Sequence, residues 1–132
     1  MMINVANSAE TKYNFIKGQR AQQDIVRDEQ SKGPEIVSML QLQSNMQVLD
    51  ILGGGGYYSE LISEKLGQGG NVYLHNNKAY MPWVEKELIA RLNGERLKNV
   101  IRWDRETDDL ALESQKYDAI VFVLGYHDLY HN

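Results

Sequence analysis

The sequence contains no cysteine, which excludes disulfides and thiolate metal sites. Proline occurs only at Pro34 and Pro82, both suited to the first turn of a helix. Long hydrophobic runs are missing too. No stretch approaches the roughly 20 apolar residues of a membrane span, and the N-terminus lacks the apolar core of a signal peptide. A cytoplasmic protein with no membrane partner is therefore expected. Positive charge is not in excess either: 14 Lys and Arg against 18 Asp and Glu give a net charge of −4, which leaves no basic footprint for nucleic acid backbone. What is present is ordinary for a globular chain, with 42% hydrophobic and 24% charged residues among 132. That is one domain's worth of chain, whose folding can bury roughly two thirds of its extended surface.

The most informative stretch is Val48-Leu49-Asp50-Ile51-Leu52-Gly53-Gly54-Gly55-Gly56-Tyr57-Tyr58-Ser59-Glu60-Leu61-Ile62. An apolar run broken by one acid, then four glycines, then a helical pattern, is how a buried parallel strand, a tight turn and a helix start are written. Glycine takes positive φ and lets a ligand approach the main chain. The helix that follows aims unpaired N–H groups and its positive dipole end at the same space. Such a loop receives something polar or negatively charged. Glycine spacing narrows the ligand. The dinucleotide pattern G-x-G-x-x-G would need a third glycine where Tyr58 or Ser59 stands, which counts against a nicotinamide-dependent oxidoreductase. No lysine follows as a P-loop requires. A glycine turn with no ligand is the plain alternative.

In chain order, residues 1–10 are rich in polar and small residues. From Thr11 to Gln30, Tyr13, Phe15, Ile16, Ile25 and Val26 sit among charges, the pattern of one or two polar helices with a weak apolar stripe. Pro34 opens a short helix carrying Ile36, Val37, Met39 and Leu40. The first strand is expected over Gln47 to Leu52 and its crossover helix over Tyr58 to Leu66, with Gly67 as left-handed cap. The second strand, Asn71 to His75, follows a right-handed parallel crossover. Asn76, 20 positions beyond Gly56, stands where dinucleotide-binding folds place an acid on the ribose; its amide offers a hydroxyl a weaker bond. A turn asparagine is the other reading. Pro82 starts a helix with Trp83, Val84, Leu88, Ile89 and Leu92 as apolar stripe and Glu85, Lys86, Glu87 and Arg91 as its wet side. Val100 to Trp103 is the third strand, and Tyr117 to Leu124 the fourth, continuously apolar as in the middle of a two-sided sheet.

The fourth strand runs into Gly125-Tyr126-His127-Asp128-Leu129-Tyr130-His131-Asn132, rich in groups able to do chemistry. In open α/β sheets the binding crevice lies outside the carboxyl ends of the strands, and this segment leaves the fourth strand there. His127 can exchange a proton near neutral pH with Asp128 as orienting partner. His127 and His131, four apart, lack a further ligand, so no metal is assigned. A packing role without catalysis is the alternative.

Asp50 with Gly54 and Gly56 resembles the first motif of class I S-adenosylmethionine-dependent methyltransferases, D/E-x-G-x-G-x-G, with Leu52 in the first glycine's place. A narrower likeness covers about Gly33 to Tyr130. The segments V-L-D-x-x-x-G-G-G-Y-Y-S-E-L, V-Y-x-x-N and V-L-G-Y-H-D-L-Y resemble D-L-G-A-G-G-G-Y-Y, V-Y-A-Q-N and N-Y-H-D-L-Y of a group of uncharacterised bacterial predicted methyltransferases. The resemblance implies an α/β, Rossmann-like class I methyltransferase fold, of which only the N-terminal part is written: about four parallel strands in the order 3-2-1-4 with helices on both faces. It implies S-adenosylmethionine as cofactor, held by Asp50, Gly53, Gly54, Gly55, Gly56, Tyr57 and Asn76, with Tyr126 as a pocket wall. It makes Asn76 the group's own usage, while Leu52 is a departure that narrows the space beside the methionine part. Many methyltransferases place an acid after the third strand to accept from the adenine amino group. Glu106 fits by distance from the next strand and Asp104 by its place at the strand's end, unless the acidic run Asp104 to Asp109 is simply a solvated loop. His127 would be the base and Asp128 its support. The methyl acceptor is unassigned.

Two regions follow: a polar helical segment over 1–32 and a partial methyltransferase-like domain over 33–132. Such folds have seven strands, and four are written here. The fourth would be an apolar sheet edge open to pairing, so a fragment or truncated product is expected. The competing function is a non-catalytic remnant or interaction module that forms a homodimer through that strand.

Overall fold

A computed structural model of the protein describes residues 15, 16, 18–110 and 117–123. Helix α1 spans Gln22–Ser31 and α2 Gly33–Met39, with strand β1 at Gln47–Asp50 and α3 at Tyr57–Leu66. A 3₁₀ turn at Gly67–Gly69 leads to β2 (Asn71–Asn76), α4 (Met81–Leu92), β3 (Val100–Asp104) and β4 (Ala119–Val121). The four strands are parallel, in the order β3-β2-β1-β4, as the resemblance implies. Two consecutive strand–helix–strand units, β1-α3-β2 and β2-α4-β3, march outward in one direction, and β4 returns to the other side of β1.

One face of the sheet is packed by aliphatic side chains. Val48, Val72 and Val121 meet Leu61, Ile62 and Leu66 of α3 and Val37 of α2. Each fully buried side chain of this size contributes roughly 1.5–3 kcal/mol. Gly67 ends α3 and its amide bonds the Ser63 carbonyl, but its φ of 67° comes with a ψ of −161°, an extended glycine conformation and not the left-handed cap its spacing suggests. On the opposite face the register lines up Leu49, Tyr73, Ile101 and Ile120. There Tyr73 meets Trp103 and Tyr117 edge-on, with ring centroids 5.7 and 5.3 Å apart. None of the described helices is long and apolar enough to cross a membrane.

Two helices turn differently from their polarity patterns. In α4 the buried face runs through Leu88 and Arg91, while Trp83 is 85% exposed and Ile89 is also out. Arg91, expected on the wet side, is drawn inward by buried carboxylates. In α1 the buried residue is Asp24, and Ile25 and Val26 are exposed. The weak apolar stripe there does not set the helix's orientation. The strand limits also differ: β1 stops at Asp50 because Leu52 takes a left-handed φ of 51°, and β4 pairs over three residues.

Candidate functional site

The turn after β1 is built by residues of β2. The Leu52 amide donates to His75 Nδ1 (3.1 Å) and the Gly53 amide to the His75 carbonyl (2.9 Å). His75 Nε2 lies 2.7 Å from the Arg105 carbonyl. An accepting Nδ1 leaves the proton on Nε2, which donates there. Asn76, fully buried, holds the next peptide from both sides: its Oδ1 accepts from the Gly54 amide (3.0 Å) and its Nδ2 donates to the Gly54 carbonyl (2.9 Å). Both ends of the amide are thus committed to the loop.

The glycines answer to identifiable neighbours. Gly54 and Gly56 have φ of 63° and 95°, open to glycine at little cost. A Cβ at Gly53 would stand 2.6 Å from an Asp50 carboxylate oxygen, and one at Gly55 would occupy the place of the Glu87 carboxylate. Leu52 is left-handed with a full side chain, at the position where the methyltransferase motif has glycine. Its residual strain is on the order of 1–2 kcal/mol.

Beneath the loop, Asp50 is sealed from water and accepts a bond from the Ser59 hydroxyl at 2.7 Å. Burial pushes its carboxyl up to about 7, against the smaller opposing effect of that bond. At the start of α3, Glu60 is fully buried among arginines. Arg91 reaches Glu60 at 2.6 Å, Asp24 at 2.7 Å and Glu87 at 2.9 Å, and its Nε donates to the Gly55 carbonyl at 2.6 Å. Arg96 also pairs with Glu60. Burial works against the Arg91 charge, but the carboxylates outweigh it and hold the guanidinium above its ordinary value. The Tyr57 hydroxyl donates to Asp28 (2.7 Å), and burial followed by that carboxylate raises the phenol well above its usual range. The Arg27 guanidinium lies 4.2 Å from the Tyr57 ring centroid.

These pieces border a cavity of about 630 Å³, within the range of small-molecule sites. Leu52, Gly53, Gly54, Gly55, Tyr57 and Tyr58 form one wall; Arg27, Tyr80, Trp83, Val84 and Glu87 contribute others. Helix N-termini leave their first amides without intrahelical acceptors, and α3 begins at Tyr57, in the cavity wall.

No family model and no curated protein sequence matches the chain. Solved structures do. The chain superposes on a SAM-dependent methyltransferase from Aquifex aeolicus with a TM-score of 0.58 and 24% identity, over 86% of this chain and 62% of that one. The chain carries a class I methyltransferase fold. It is also similar to a protein-L-isoaspartate O-methyltransferase (26% identity, TM-score 0.55, 73% of this chain and 29% of that one). A cyclopropane-fatty-acyl-phospholipid synthase-like protein from Lactobacillus casei matches at 19% identity and TM-score 0.59, over 86% of this chain and 46% of that one. The chain thus spans less than two thirds of each of these structures.

On this methyltransferase frame the residues singled out from sequence divide. Gly53, Gly54, Gly55 and Tyr57 line the cavity. Asp50, Gly56 and Asn76 are not in its wall; they hold the loop from behind. Asp104 pairs with Arg102 at 2.8 Å, and Glu106 accepts from the Lys78 amide at 3.1 Å; neither lines the cavity. Tyr126, His127 and Asp128 lie outside the described residues. Arg27, Tyr80, Trp83 and Glu87 were not legible as site residues: a helical polarity pattern assigns Arg27, Trp83 and Glu87 to core or solvent and carries no sign of a cleft, and Tyr80 precedes its helix with no motif to mark it.

Proposed function

We propose that the cavity beside Gly53 to Gly56 binds S-adenosylmethionine and that the chain supplies the cofactor-binding portion of a methyltransferase. The observation that carries this reading is the loop. A strand end, two left-handed glycines and a helix N-terminus are fixed by Asn76 and Arg91 at the wall of a cavity large enough for a nucleoside with a short tail. The residues present fit such a group. At Gly54, where a Cβ would meet only Val84 at 4.0 Å, the main chain is open to the cavity; Tyr80 and Trp83 offer aromatic surface for a base, and Glu87 and Arg27 bring charges of both signs. Leu52 narrows the site relative to a glycine. The cofactor, when bound, contributes a sulfonium methyl open to in-line displacement by an acceptor. The chain's share is to fix the cofactor's position and exclude water around it. In the same reading Tyr126 forms a further wall, His127 takes the acceptor's proton and Asp128 orients the imidazole, in a cytoplasmic protein. Titration calorimetry of the full chain with S-adenosylhomocysteine tests it. Saturable heat with one site is expected, and no heat at ligand concentrations near 1 mM would sink it.

A second reading rests on β4. Ile120 and Phe122 are 53% and 55% exposed, and β4 pairs only with β1 among the described residues. In that reading the chain is a non-catalytic module that meets a second copy through this strand. Gel filtration across a hundredfold concentration range separates the two: a monomer throughout removes the second reading.

A further inference from the structure

The cofactor reading leaves one task without a residue. A nucleoside ligand exposes two ribose hydroxyls, which folds of this kind engage with an acid near the end of the second strand. Here that position is Asn76, and its carbonyl oxygen and amide nitrogen are both spent on Gly54. Turning the side chain outward would release the loop it holds.

Among the described residues the cavity wall contains a single carboxylate, Glu87. It enters one helix later than Asn76, from α4. One oxygen, Oε1, accepts from Arg91 Nη2 at 2.9 Å; Oε2 has no partner among the described residues. The carboxylate lies against the Cα of Gly55, filling the space a Cβ would need. Arg91 in turn fastens the Gly55 carbonyl. The acid is thereby fixed to the loop by a positioned arginine and keeps one oxygen available. Tyr80, Trp83 and Glu87 belong to the same side of the cavity, the turn and helix after β2, whereas Arg27 comes from α1. A base on the aromatic surface puts its sugar beside Glu87, and the amino-acid tail is left to the region of Arg27.

We propose that Glu87 is the acid that binds the ribose hydroxyls of the ligand, in place of the residue at the end of β2. The inference rests on the cofactor reading above and deepens it. It is tested by calorimetry with S-adenosylhomocysteine, with 5′-methylthioadenosine, which keeps the ribose and lacks the amino-acid tail, and with the 2′,3′-dideoxy form of the latter. Glu87→Gln should weaken the first two by about tenfold each, the worth of a charge-assisted hydrogen bond, and leave the third unchanged. Glu87→Asp, which keeps the charge but shortens the reach, should show the same pattern, with thermal melts reporting that both variants are folded. Equal binding of 5′-methylthioadenosine by wild type and both variants overturns the assignment. So does a loss confined to S-adenosylhomocysteine, which would place Glu87 at the tail's ammonium group. If the wild type binds none of the three, the cofactor reading falls and the assignment falls with it.

Discussion

Helix α3 is held in two unlike ways. Along its length, Leu61, Ile62 and Leu66 press on Val48 and Val72 with no polar group between them. At its beginning, Glu60 sits in a buried ionic cluster that joins α1 through Asp24, α4 through Arg91 and the segment after it through Arg96. The apolar seam is non-directional and tolerates small shifts. The ionic seam is not tolerant, because Asp24, Glu60 and Arg91 have left water and depend on the geometry of their partners. The part of the helix next to the ligand loop is the ionic part. Position there is fixed by bonds that reach the loop itself, as Arg91 does at Gly55.

Breaking the ionic seam should have the largest effect. Arg91→Ala strands Asp24 and removes one of the partners of Glu60, and is expected to cost about 3–5 kcal/mol in urea unfolding. A loss below about 1 kcal/mol would show that the cluster is solvated. Next comes Asp50, among the described residues the one buried acid outside that cluster, its carboxyl strongly raised. Its folded form prefers the proton, so its stabilising contribution is present below the unfolded carboxyl range near pH 4 and is lost as pH rises through about 7. Wild type should lose up to about 4 kcal/mol of unfolding free energy across that window relative to Asp50→Asn. Parallel pH profiles for the two proteins would remove the argument.

The apolar seam should respond somewhat less. Leu61→Ala, at a fully buried position, should cost about 3 kcal/mol with little dependence on salt, whereas the cost of Arg91→Ala should vary with ionic strength if water reaches the cluster. The smallest effect is expected at Leu52. Replacement by glycine relieves left-handed strain of about 1–2 kcal/mol but adds unfolded-state entropy, so stability should move by less than about 1 kcal/mol. Affinity for S-adenosylhomocysteine should rise as the cavity widens. Weaker binding by Leu52→Gly would mean that the leucine contacts the ligand productively.

The apolar seam and the loop were legible in the residues. Val48 to Asp50, the glycine run and the Leu61, Ile62, Leu66 spacing give strand, turn and helix, and the strand order 3-2-1-4 follows from the family likeness. The ionic seam was not. Arg91 reads as an ordinary wet-side charge and nothing in the spacing singles out Asp24 or Glu60, because a hydropathy pattern records what a side chain prefers alone and cannot record that three helices bring opposite charges together.

The sequence alone determined that a parallel strand meets a glycine turn and a helix, since those depend on neighbours within a few positions and on the small size of glycine. Only the tertiary structure decided what each polar residue there does. Asn76 holds Gly54, Arg91 turns inward, Trp83 turns outward and Glu87 enters the cavity. Each outcome depends on partners 20 or more residues away or on which side of α4 meets the sheet, and local spacing carries no information about either.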